Sequence, residues 1–113
     1  MPYLQVSVSE KMDDIKIDEL KAMFGRYISL LPGKSEEVLM LRIDDDETMF
    51  FSGISGKCAM IQVHLYQASP RDAKKIFSAE VLQSFSSITG LPVDRIFMNF
   101  SEHTDWAAGG SLI

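Results

Sequence analysis

The feature that most constrains this chain is an internal repeat. Displaced by 57 positions, Leu4-Gln5-Val6 falls on Ile61-Gln62-Val63, Gly33 on Gly90, Leu39 on Ile96, Leu41 on Met98 and Ile43 on Phe100. Self-similarity at one offset marks a supersecondary unit used twice. In the first unit, Leu4, Val6 and Val8 alternate with Tyr3, Gln5 and Ser7 over residues 2–9, the period of a half-buried strand. Ile17, Leu20, Phe24, Tyr27, Ile28 and Leu31 then recur three or four apart. That spacing predicts a helix over 14–31, ended by Pro32-Gly33. Residues 38–43 read as a second strand and 48–52 as a shorter one. Between them Asp44-Asp45-Asp46-Glu47 reads as a solvated loop, because consecutive acids on an extended chain alternate sides and do not converge on a cation.

The second unit follows the same plan. A strand is expected over 58–67, then a helix opened by the capping hydroxyl of Ser69 with Pro70 in its first turn. Ile76, Phe77, Val81, Leu82, Phe85 and Ile88 carry that helix to about Thr89-Gly90, and 95–100 forms the last long strand before a short tail. A strand–helix–strand crossover makes its two strands parallel and right-handed. The expected fold is α/β: one domain over 1–113, built of two βαβ repeats (about 2–57 and 58–113). Joined edge to edge, they make one four-stranded mixed sheet with two helices on one face. The other face is left bare, and an exposed apolar face is met by association. Cyclic symmetry would close such an association, and a trimer of sheets around a central axis fits.

Composition narrows the function. The formal net charge is −5, and no Lys/Arg cluster exceeds Lys74-Lys75, so no nucleic-acid partner is expected. No apolar run is long enough for a bilayer, and the start MPYLQVSVSE lacks a basic, apolar leader, so no membrane or secretory role is expected. Cys58 is the only cysteine, which excludes an intramolecular disulfide and a cysteine-based metal site within one chain. These features predict a cytoplasmic protein. His64 and His103 lack the partner pattern of a triad or metal site; His64 reads as a structural strand residue and His103 as a turn residue. Neither a metal nor a cofactor is expected.

Met1-Pro2 running into a strand, the two βαβ repeats, Gly33-Lys34, and Val93-Asp94-Arg95-Ile96-Phe97-Met98-Asn99-Phe100 together resemble macrophage migration inhibitory factor and its microbial relatives in the tautomerase superfamily. The likeness covers nearly the whole chain. It implies a homotrimer, an active site at each subunit interface, and keto–enol tautomerisation of phenylpyruvate-like or dopachrome-like substrates. Proline is a small second residue, so Met1 is expected to be removed, leaving a secondary amine on Pro2. A free α-amino group titrates at about 7.7–8.0. Burial lowers that value toward the range where general acid–base transfer is most effective. The plainer reading is that Pro2 only begins a strand, where its missing N–H costs nothing.

Other site residues come from the same resemblance. Lys34 matches the residue that holds the substrate carboxylate, and a point charge on a flexible stem suits an α-keto acid. Asn99 matches a pocket residue contributed by the neighbouring subunit, where an amide can donate to a developing enolate oxygen. Phe97 stands where the family has tyrosine, so this chain keeps the ring and loses the hydroxyl. The family ending Gly-Trp-Asn-Gly-Ser-Thr-Phe, aligned on Gly110-Ser111, puts Ala108 at the tryptophan and Ile113 at the terminal aromatic. Trp106 then either fills the vacated space or packs in the core. Cys58-Ala59-Met60-Ile61 lacks the second cysteine of a redox pair that some members carry, so thiol redox chemistry is not supported.

The expected function is an enzyme moving a proton between carbon and oxygen of a small aromatic α-keto acid, with Pro2 catalytic and Lys34, Asn99, Phe97, Trp106 and Ile113 binding. The alternative is a trimeric binding or signalling protein of the same fold with little turnover. Hydration or dehalogenation would need arginines beside Pro2, and nothing in the sequence puts Arg42 or Arg95 there.

Overall fold

The alternation at the head of the chain becomes β1, Pro2–Val8, in which Leu4, Val6 and Val8 are fully buried. The computed structural model describes residues 1–113. The helix α1, Asp14–Tyr27, is capped by Asp13, whose carboxylate accepts the Lys16 N–H at 2.8 Å. It is shorter than the periodicity predicts. Its end tightens into a 3₁₀ turn over Ile28–Leu30, which keeps Ile28 and Leu31 buried. A second 3₁₀ turn, Glu36–Val38, precedes β2, Met40–Asp44, so β2 begins two residues later than expected.

The segment expected to form a shorter strand over 48–52 gives a separate hairpin of β3, Phe50–Phe51, and β4, Ile54–Ser55. The acidic loop before it is tied down as well as solvated. An Asp45 carboxylate oxygen accepts the Met12 N–H at 2.7 Å, and Glu47 donates its N–H to the Val8 carbonyl at 3.0 Å.

The second repeat gives β5, Ala59–Tyr66, then α2, Arg71–Thr89, a 3₁₀ turn over Val93–Arg95, and β6, Ile96–His103. Two expectations need correction. Ser69 does not cap α2: Pro70 occupies the cap position without a side-chain bond, and the Ser69 N–H donates to Glu102 at 2.6 Å instead. His103 belongs to β6 rather than to a turn, paired in register with Tyr66. The tail folds into a small hairpin of β7, Ala107–Ala108, and β8, Ser111–Leu112. The repeat holds in detail. The offset that aligns the sequence carries one pre-strand 3₁₀ turn onto the other, and Gly33 and Gly90 share a positive φ, 75° and 78°.

The sheet order is β2-β1-β5-β6, with β1 and β5 antiparallel at the centre and each outer strand parallel to its neighbour. Both helices lie on one face. Leu4, Val6, Ile61, Val63 and Leu65 from the central strands bury against Leu20 and Phe24 of α1 and Phe77, Val81 and Phe85 of α2. Each such side chain contributes about 1.5–3 kcal/mol by leaving water, and Phe24 meets Phe85 at 6.2 Å between ring centroids.

The opposite face bears apolar residues on either side of a polar band. Its middle row, in register across the sheet, is Arg42, Gln5, Gln62 and Asn99. Met60 and Phe97 lie on one side of that polar band, Met40 and Tyr3 on the other. No helix is long and apolar enough to cross a membrane.

Candidate active site

Pro2 opens β1 with its ring buried. The ladder runs one residue past it, because the Tyr66 N–H donates to the Met1 carbonyl at 3.0 Å. Lys34 arrives from the other end of the repeat. Gly33 turns the chain with its positive φ, and the Lys34 ammonium donates to the Tyr66 carbonyl at 2.9 Å. The backbone of Tyr66 therefore holds the N-terminus through its N–H and the lysine cation through its carbonyl. The electrostatic result is direct. Burial, and then the charge and hydrogen bonding of Lys34, push the N-terminal amine below its ordinary range.

A cavity of about 540 Å³ opens here, lined by Met1, Pro2, Tyr3, Val38, Met40, Trp106, Ala107 and Ala108. Seven of these eight are hydrophobic, an apolar wall that disfavours charge on an amine. Of the two positions open to Trp106, the structure takes the cavity wall. Its ring leans on Tyr66 at 6.3 Å and His103 at 5.8 Å. Ala108, aligned with the family tryptophan, lines the same cavity. Ile113 donates its N–H to the Trp106 carbonyl at 2.9 Å and pins the tail, while its own side chain is not part of the wall.

Phe97 and Asn99 share one face of β6, as their spacing requires, but the single chain does not bring them to Pro2. Phe97 is in register with Met60, whereas Pro2 is in register with Leu65. That separation along β5 is about 16 Å at ~3.3 Å per residue. Phe97 instead meets the edge of Phe51 at 4.9 Å, and both it and Phe50 are mostly exposed.

Arg95 is occupied elsewhere, whereas Arg42 is held by Asp44 and by Tyr3 of the cavity wall. Arg95 donates to the carbonyls of Gly56 at 2.8 Å and Lys57 at 2.9 Å, and more loosely to Ile54 and Phe51. Arg42 pairs with Asp44 at 2.9 Å. A second depression, lined by Arg71, Lys74, Lys75, Ser78, Phe100 and Glu102, contains none of the expected site residues.

Tyr3, Val38 and Met40, which line the cavity, were not among the site residues expected from the sequence. For Met40 a signal existed: it is the repeat counterpart of Phe97.

The chain has the fold of the tautomerase superfamily, a four-stranded mixed sheet under two helices. It superposes on MIF2 of Leishmania major with a TM-score of 0.91 at 24% identity, over 100% of this chain and 97% of that one. The macrophage migration inhibitory factor-like protein of Entamoeba histolytica gives 0.87 at 18% identity, over 99% and 98%. Fused 4-OT, solved as an asymmetric trimer, gives 0.84 at 14% identity, over 97% and 94%. No protein-family model and no curated protein matches the sequence.

Proposed function

We propose that this protein is a keto–enol tautomerase acting on small aromatic α-keto acids, with the Pro2 nitrogen as general base and acid once Met1 is removed. One observation carries the reading: an apolar-walled cavity includes Met1 and Pro2, and beside it burial and Lys34 together depress the amine of Met1. An amine released at that position would titrate closer to neutrality than a solvated one. The amine takes a proton from the carbon beside the carbonyl and returns it to the oxygen of the enolate. Lys34 steers the carboxylate as a cation, and the rings of Tyr3 and Trp106 receive the aromatic group. Phe97 and Asn99 join the site from a neighbouring subunit in a homotrimer, Asn99 donating to the enolate oxygen. The trimeric fused 4-OT and the exposed Phe50–Phe97 patch support that assembly.

The test is phenylpyruvate enol–keto conversion by chain freed of Met1, compared with the same chain carrying Pro2→Ala. Loss of at least a hundredfold in rate is the expected order for a general base. Equal rates would sink the proposal.

A second reading is a trimeric binding or signalling protein with little turnover. Phe97 in place of a tyrosine and the altered tail favour it, and while Met1 is attached the Pro2 nitrogen is an amide without basicity. Intact mass of the natural protein separates the two readings.

A further inference from the structure

The cavity wall is braced from outside by two histidines. Tyr3 and Trp106 both face the cavity, and between them, across the open face of the sheet, run His64 and His103. His64 stacks on Tyr3 with 5.6 Å between centroids and an interplanar angle of 25°. His103 lies 5.9 Å from His64 and meets Trp106 at 5.8 Å, edge to face at 62°. The rings therefore form an unbroken run from one wall of the cavity to the other.

Trp106 needs such a brace. Two alanines follow it, and its backbone is held only at the carbonyl, by Ile113. Its ring meets two aromatic neighbours, Tyr66 tilted at 42° and His103 edge to face at 62°. His103 is itself anchored: it ends β6 in register with Tyr66, and its carbonyl accepts the Gln67 N–H at 2.7 Å. Edge-to-face contacts are directional, because the positive rim of one ring seeks the negative face of another.

We propose that His103 is a positioning residue that sets the tilt of Trp106 and so determines how well an aromatic ring is received beside Pro2. The specificity claim rests on the proposed tautomerase reading; the positioning claim does not.

Trp106 is the only tryptophan in the chain, so its fluorescence and near-ultraviolet circular dichroism report this one ring. The experiment compares the native chain, His103→Leu and His103→Phe, each freed of Met1, by those spectra and by kinetics on phenylpyruvate and on the ringless 2-oxobutanoate. His103 is exposed, so both variants are expected to fold. In His103→Leu, the tryptophan emission shifts to the red and its dichroism band weakens. KM for phenylpyruvate rises about two- to tenfold, with kcat and the 2-oxobutanoate KM held. His103→Phe restores the spectra and the KM. Identical spectra in all three proteins would overturn the positioning claim, and equal KM changes for both acids would overturn the specificity claim. Should no form turn over either acid, the tautomerase reading fails, and the spectra still decide whether His103 holds Trp106.

Discussion

Gln5 of β1 stands directly across from Gln62 of β5, and the two are counterparts in the repeat. A pseudo-twofold axis thus passes between the central strands, relating every element of one βαβ unit to the other. The chemistry does not obey it. The counterpart of Pro2 is Ala59, and that of Lys34 is Leu91, both buried in the core. Only one of the two related strand ends combines a chain terminus, a cation and a cavity.

Lys34 should govern the N-terminal amine. With Met1 present, that amine is expected to titrate below the ordinary range of about 7.7–8.0. Lys34→Met should move its midpoint partway back up, since burial, the larger cause, remains. A cationic group whose folded value is depressed binds its proton less readily when folded. Stability should therefore rise as pH climbs from the folded midpoint to the unfolded one. Amine acylation rates against pH, in both proteins, measure the midpoints; no movement in the variant contradicts the role given to Lys34.

Glu102 ties the start of α2 to the end of β6. Its carboxylate accepts the Ser69 N–H and then the Lys74 ammonium at 3.0 Å, which together hold it below the usual carboxylate range. That stabilisation is complete above the unfolded value of about 4.3 and is lost as pH falls through the folded one. Glu102→Ala should cost about 1 kcal/mol near pH 7 and less at pH 3, below the unfolded value. Urea unfolding at the two pH values tests this, and an equal loss at both would contradict it.

Arg95 closes the β3–β4 hairpin by donating to four carbonyls and lying 5.0 Å above the Phe51 ring. In Arg95→Ala these carbonyls can turn to water, so the net global loss should be about 1 kcal/mol. The local effect should be larger. Amide hydrogen exchange over residues 50–57 should quicken while that of β1 and β5 changes little, and uniform quickening would argue against a local clasp.

Gly25 is buried in α1 under Glu36, whose carboxylate supplies the three atoms nearest to where a β-carbon would stand. Glu36 is exposed and flexible, so it can move aside. Gly25→Ala should then gain up to about 1 kcal/mol from helix propensity. Thermal unfolding decides it, and a lowered midpoint would mean that the carboxylate cannot leave.

The local plan of the chain was legible without any structure. Leu4, Val6 and Val8 against Tyr3, Gln5 and Ser7 record one buried strand face, and Phe77, Val81 and Phe85 record a buried helix face, because side-chain period follows backbone geometry. With the offset linking the halves, this defined two parallel βαβ units, and the family resemblance pointed to Pro2 and Lys34.

Which elements meet across the molecule has no such period, and only the tertiary structure decided it. The tail brings Trp106 to the cavity through β7 and β8, each two residues long and too short to show alternation. His103 extends β6 because Tyr66 is there to pair with it, a partner far away in sequence. The resemblance implied a site shared between subunits, and sheet register separates Phe97 from Pro2 along the strands of one chain, which no local pattern reports. Periodicity reports how each residue faces the core, whereas a site depends on long-range register and hydrogen bonds, such as the two through which Tyr66 holds Met1 and Lys34 side by side.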